Sequence, residues 1–278
     1  MSIATVKASI DAYLEELKHP NKELPPDYYE KRAKQKTGRL LHFAGRKALE
    51  GLQRFEGGTS LTIVPHESVV KAAQTGTSVL VLSTHRSDFL DIGFFVSATQ
   101  KVGLKYTRPL SKIENIQLPQ PVPAFFHRVG LIAIDRGDVD SAGVEQVFGA
   151  MKARGQHPLI FPEENRIYEN ITQVHRLKRT AAMMALMFNM PIAPLAIVGG
   201  GRGETVPSRH GFRGRHLQMA DHPVAQFGEL IRLEPRAGFD GEHLVREAGL
   251  LTRTVLTPAM QATLDAAYET RAHLLAAA

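Results

Sequence analysis

His85 is the side chain in this sequence best suited to moving a proton. It lies in Val79-Leu-Val-Leu-Ser-Thr-His-Arg-Ser-Asp-Phe-Leu-Asp91, followed by Arg86, Ser87 and two carboxylates, Asp88 and Asp91. An imidazole titrates near ~6.5, so at neutral pH much of it is free to accept a proton. A carboxylate on one ring nitrogen fixes the tautomer and balances the imidazolium that forms. Asp88 and Asp91 are both candidates for that part. The competing reading makes His85 a solvated turn residue and Asp91 an N-cap or first-turn charge.

Three further stretches repeat the pattern of a short apolar run meeting a polar or breaking residue. Gly130-Leu-Ile-Ala-Ile ends in Asp135 and Arg136, and Leu159-Ile-Phe-Pro ends in Glu163, Glu164 and Arg166. The fourth run, Pro191 to Val198, has Pro194 inside it, and Lys112 stands between the first and second in Ser111-Lys-Ile-Glu114. Arginine is suited to holding a phosphate, because its planar guanidinium offers two parallel N–H donors. Each charged group alone would be an ordinary solvated loop. Together they suggest one pocket for an anionic substrate.

The elements that must position these groups follow from periodicity. Val79 to Leu82 is a buried strand, Ser83 to Asp88 a polar break, and Asp91 to Thr99 a helix, so His85 falls on a strand-to-helix turn. Strands are also expected at Leu61–Val64, Val102–Tyr106, the Gly130 run, Leu159–Phe161, Ile192–Val198 and 224–233, and residues 107–124 read as Pro-rich and irregular. Helices are expected at Pro65–Ala73, Ser141–Ala153, 175–189 and 241–277, the last broken near Pro258. Alternating strands and helices imply an α/β fold, with a mixed, largely parallel central sheet flanked by helices. In such sheets polar residues just past the strand ends meet along one edge, where ligands bind.

The four blocks, in this order, resemble those of the glycerolipid acyltransferases, the family of 1-acylglycerol-3-phosphate acyltransferases, over roughly residues 60–200. The family's blocks are His-x4-Asp, a Gly-rich block ending Ile-Asp-Arg, Phe-Pro-Glu-Gly-x-Arg, and a Pro-containing strand. Ser111-Lys112-Ile-Glu114 is similar to the family's Ala-Lys-x-Glu segment. The resemblance implies transfer of a fatty acyl group from acyl-CoA or acyl carrier protein to a glycerol hydroxyl of a lysophospholipid. His85 would be the general base and Asp91 its partner, with Asp88 in reserve. Arg86, Ser87, Lys112, Arg136, Glu163 and Arg166 would contact substrate, and backbone amides near Pro194 would serve a developing oxyanion. No cofactor or metal is expected. Two departures stand out. Five residues separate His85 from Asp91 where the family has four, and Glu164 occupies the family's glycine. Ile92-Gly-Phe-Phe after Asp91 resembles the residues next to the family's aspartate, which favours a one-residue insertion.

Composition narrows the alternatives. There are no cysteines among the 278 residues, so thiol catalysis and disulfides are excluded. No Gly-x-Ser-x-Gly elbow occurs, which favours a direct ternary reaction over an acyl-enzyme. The net charge of +6 suits an anionic partner such as a lipid surface or a nucleotide-bearing donor. Aromatic-basic interleaving is missing, which argues against nucleic acid. No run reaches the ~18–20 apolar residues of a spanning helix, and Met1-Ser-Ile-Ala-Thr-Val-Lys lacks a signal-peptide pattern. The expected place is therefore cytoplasmic, peripheral to the inner face of the membrane.

Residues 1–56 read as an N-terminal helical segment ahead of an α/β domain at 57–278. Its helix at 38–55 gathers Leu41, Ala44, Ala48, Leu52 and Phe55 on one face, with Arg39, Arg46, Lys47 and Arg54 as cations. Such a helix can lie in a membrane interface or pack on its own domain. Gly199-Gly-Gly-Arg-Gly203 has the glycines of a nucleotide loop but no helical pattern after it, so a turn-forming loop is expected. The rival functions are a metal-dependent hydrolase, a glycerol-3-phosphate acyltransferase, and a lipid-binding relative without turnover.

Overall fold

Alternation along a strand sends Leu80 and Leu82 to one face of a sheet and Val79 and Val81 to the other. In the computed structural model both faces are covered by helices. It describes residues 51, 58–86, 90–112, 131–134, 141–163, 167, 169–201, 203–206, 219–234 and 241–278. Apart from Gly51, the N-terminal segment with its amphipathic helix lies outside that set, as does the proposed boundary at residue 57.

The described elements run β1 (Thr62–Val64), α1 (Glu67–Gln74), β2 (Leu80–Ser83), α2 (Leu90–Lys101), β3 (Thr107–Lys112), β4 (Ile132–Ile134), α3 (Ser141–Ala153), β5 (His157–Ile160), α4 (Thr180–Met187) and β6 (Ile192–Val198). After them come β7 (Thr205–Val206), β8 (Met219–Ala220), β9 (Val224–Phe227), α5 (Gly241–Leu251), a π-helical turn (Thr252–Leu256) and α6 (Thr257–Ala276). Seven strands form one sheet in the order β1-β9-β6-β2-β5-β3-β4. The five from β6 to β4 are parallel, β9 is antiparallel to β6, and β1 is parallel to β9. This is the mixed, mostly parallel sheet flanked by helices that the sequence implied.

On one face Val69 of α1 and Phe94, Phe95 and Ala98 of α2 pack on Val79, Val81, Leu159, Leu195 and Ile197. On the other, Phe148 and Met151 of α3, Ala181 and Ala185 of α4 and Met260 of α6 pack on Leu80, Leu82, Ile132 and Ile192. Burying each large aliphatic or aromatic side chain contributes roughly 1.5–3 kcal/mol. The faces alternate because the chain reverses direction. It moves outward from β2 to β3 over α2, and returns from β4 through β5 to β6 over α3 and α4. Right-handed crossovers in opposite directions must lie on opposite faces.

Three local expectations are corrected. Val102–Tyr106 is a turn rather than a strand, because Gly103 (φ 89°) and Tyr106 (φ 69°) take left-handed conformations that no strand accommodates. The strand comes next, at Thr107–Lys112, inside the stretch read as irregular. Pro109 is tolerated in it because pairing with β4 begins only at Leu110. The helix expected at 175–189 starts at Thr180, since the His175 and Lys178 amides are bonded to Glu163 and Pro162 instead. Its end is as expected: Asn189 (φ 44°) comes after the C-cap, and the Met190 N–H donates to Ala185 O at 2.9 Å.

Pro194 sits mid-strand in β6, opposite Leu82. Its missing N–H falls where β9 has ended and before the bridge that pairs Ile192 with Ile231. The Gly228 N–H donates to Pro194 O at 3.0 Å, and a Cβ on Gly228 would collide with Thr263 Oγ1 and stand 3.2 Å from Pro194 Cβ. Only glycine fits that approach.

Candidate functional site

The carboxyl ends of β2, β5 and β6 lie side by side, which brings the residues after Ser83, Ile160 and Val198 to one edge. Thr84, the first of them, is fully buried and prolongs the ladder with its side chain. Its N–H donates to Leu195 O at 3.1 Å, and its Oγ1 accepts the Ile197 N–H at 3.0 Å. That anchor sets where His85 begins. The His85 ring is half-buried and stacks on Phe161, with centroids 4.5 Å apart and planes at 27°. Phe161 in turn meets Phe95 of α2 edge-on at 6.2 Å. The His85 carbonyl accepts the Ile167 N–H at 3.0 Å. An imidazole is thus presented at the sheet edge on an aromatic bed, with its backbone pinned on both sides.

Arg86 turns inward beside it. Its Nη1 donates to Glu163 Oε2 at 2.5 Å and Nη2 to Glu163 Oε1 at 3.1 Å, and both side chains are only 1 % exposed. The same guanidinium donates from Nε to Ile171 O and from Nη2 to Gln173 O, each at 3.0 Å. Glu163 Oε1 also accepts the His175 N–H at 2.9 Å. The sequence resemblance implied that Arg86 and Glu163 would both contact substrate. In the structure the two side chains face each other, at the centre of a set of backbone bonds. The Lys178 N–H donates to Pro162 O at 2.9 Å, and together with the Glu163 bond this ties residues 175–178, which lie ahead of α4, to the end of β5.

Asp91 is the second residue of α2 and Lys112 the last of β3, so both lie at helix or strand ends facing this edge by topology. Ser87, Asp88, Arg136, Glu164 and Arg166 lie outside the described residues. The amides near Pro194 are taken up in the β6 ladders, so they offer no oxyanion site. The glycine loop bends as expected, and one carboxylate takes two of its amides. Glu204 Oε2 accepts the N–H groups of Gly199 at 3.1 Å and Gly201 at 3.0 Å, and Arg271 Nη1 lies 3.6 Å from Glu204 Oε1. Among the described residues no group of three or more His, Asp or Glu side chains is placed to hold a metal ion.

Sequence reasoning missed several partners of the site. Thr84 and Phe161 lay inside stretches already singled out, but their roles depend on β2, β5 and β6 being neighbours. The carbonyls of Ile171 and Gln173 carry no sequence signal. A family model for acyltransferases matches residues 64–198, from the last residue of β1 to the end of β6. The chain carries an acyltransferase-family domain. Within it His85, Arg86 and Glu163 sit at the junction of the first and third sequence blocks. No curated protein matches the chain significantly. Among matching solved structures is the 1-acyl-sn-glycerophosphate (LPA) acyltransferase PlsC from Thermotoga maritima, at 16 % identity and a TM-score of 0.47. The match covers 81 % of this chain and 83 % of that one.

Proposed function

We propose that this acyltransferase domain moves a fatty acyl group from a thioester, acyl-CoA or acyl carrier protein, to a glycerol hydroxyl of lysophosphatidic acid or a related lysophospholipid. The observation that supports it most is the presentation of His85 at the carboxyl edge of the sheet, backbone-pinned and stacked on Phe161. His85 takes the hydroxyl proton as the oxygen attacks the thioester carbonyl. The tetrahedral intermediate collapses with cleavage of the C–S bond, and the imidazolium returns the proton to the departing thiolate. Asp91 orients the imidazole, with Asp88 in reserve, and Lys112, Arg136 and Arg166 hold the acceptor phosphate. Ser87 serves as a further polar contact for substrate. The reaction needs no cofactor beyond the acyl donor, and it takes place peripherally at the inner face of the membrane, where both the lipid acceptor and the soluble donor can be reached.

The test is thiol release from acyl-CoA or acyl carrier protein in the presence of lysophosphatidic acid, with glycerol 3-phosphate as a second arm. Ester product on lysophosphatidic acid that is lost in His85→Ala is expected. Product on glycerol 3-phosphate alone would reassign the acceptor, and acyl-chain binding without product would make the chain a lipid-binding relative.

A further inference from the structure

The turn at residues 171–174 has no regular secondary structure, yet three of its carbonyls and one amide are bonded from two sides. Arg86 takes the carbonyls of Ile171 and Gln173. From the opposite side α6 grips the same turn. Gln261 Nε2 donates to Thr172 O at 3.0 Å, and Gln261 Oε1 accepts the Val174 N–H at 2.7 Å. One side-chain amide thereby pairs with the backbone as a neighbouring strand would. The Tyr268 hydroxyl donates to Ile171 O at 3.3 Å, the carbonyl that Arg86 Nε also uses. Burial and the nearby Glu204 carboxylate keep the Tyr268 phenol protonated well above its ordinary range, so it remains a donor. Asp265, one turn along α6, accepts from Gln261 Nε2 at 2.8 Å and fixes the amide's orientation.

Gln261 and Tyr268 lie beyond residues 64–198, in a helix that has no part in the four sequence blocks. From this geometry we infer that Gln261 and Tyr268 of the C-terminal helix are positioning residues for the His85 loop, acting through the 171–174 turn and the Arg86–Glu163 pair. Neither touches the substrate. They fix the turn, the turn's carbonyls aim the Arg86 guanidinium, and Arg86 holds the backbone from which His85 projects. A guanidinium with four fixed acceptors has one orientation, so a shift of the turn is passed on to the residue next to Arg86.

The inference rests on His85 being the base, and the test separates the two. Gln261→Leu, Tyr268→Phe and the double variant are compared with His85→Ala for kcat, KM, melting temperature and amide exchange. Tyr268→Phe removes one oxygen and keeps the ring's packing, so it should fold. Each single variant should lower kcat about tenfold, the scale expected of a small misplacement of a reacting group. KM for donor and acceptor should stay within about twofold, because bound substrate is not contacted. The Ile167 amide, bonded to His85 O, should exchange faster, while the Ile197 amide on Thr84 stays protected. Activity surviving in His85→Ala would remove the catalytic reading itself. Loss in His85→Ala with wild-type kcat in all three variants would overturn the inference alone. So would a lower melting temperature with unchanged kcat per folded molecule, which marks mere helix packing.

Discussion

At the scale of single residues, the two acids that follow His85 in the sequence give the sharpest prediction for the chemistry. Asp91→Asn should reduce turnover far more than Asp88→Asn, measured as kcat with saturating donor and acceptor. The reverse order would move the orienting role to Asp88. A second prediction concerns stability. His157 on β5 is buried, and its Nδ1 accepts the Val79 N–H at 3.2 Å, which places the ring proton on Nε2. Burial pushes its pKa down from 6.5 to about 4. The unfolded chain therefore binds a proton near pH 6.5 that the folded chain takes up only near 4, so stability falls as the pH is lowered through that window. The loss should be on the order of 3 kcal/mol between neutral pH and pH 4 from this residue. His157→Asn, which keeps a comparable acceptor for Val79, should flatten that part of the profile in urea unfolding measured between pH 7 and 4. None of this was readable in the sequence, where His157 is one of 12 histidines.

At the scale of elements, the Arg86–Glu163 pair joins the turn after β2 to the turn after β5. Breaking such a buried pair from one side leaves an uncompensated charge and costs ~3–5 kcal/mol. Glu163→Gln should show a loss of that size in urea unfolding, and Arg86→Met with Glu163→Leu should recover part of it, since no lone charge remains. Equal losses for the single and double variants would show that the backbone bonds, not the pair, dominate. Elements whose signal is local were legible beforehand. Ser141–Ala153 and Ile192–Val198 carry their own periodicity and appear where expected. Elements set by distant partners were not. Residues 175–178 resemble a helix start, but Glu163 and Pro162 take the His175 and Lys178 amides. Val102 and Leu104 look like a strand because they are apolar, yet they are the buried residues of a turn. The break expected near Pro258 is a π-helical turn over Thr252–Leu256 that carries the chain on into α6. There Thr252 Oγ1 donates to Ala248 O at 2.7 Å and Thr257 Oγ1 to Thr252 O at 2.9 Å.

At the scale of the whole molecule, the sequence supplied the class of fold and singled out His85, Arg86 and Glu163, but not the strand order that makes these three neighbours. β5 inserts between β2 and β3, which is why Phe161 and Glu163 reach His85 and Arg86, and no local pattern encodes that insertion. No described helix is long and apolar enough to cross a membrane. With a net charge of +6, the chain should bind vesicles containing anionic lipid more than neutral ones, and sedimentation with vesicles should weaken as salt rises from about 0.05 to 0.5 M. Equal binding to neutral vesicles at all salt concentrations would assign any association to apolar insertion instead. EDTA should leave acyl transfer unchanged under the proposed mechanism, in which proton transfer to His85 activates the hydroxyl. The most direct measurement is ester formation from acyl thioester and lysophosphatidic acid by wild type and His85→Ala, matched for folded protein. A fall of ~10²–10⁴-fold in His85→Ala is expected of a lost general base. Equal rates in the two proteins would contradict it.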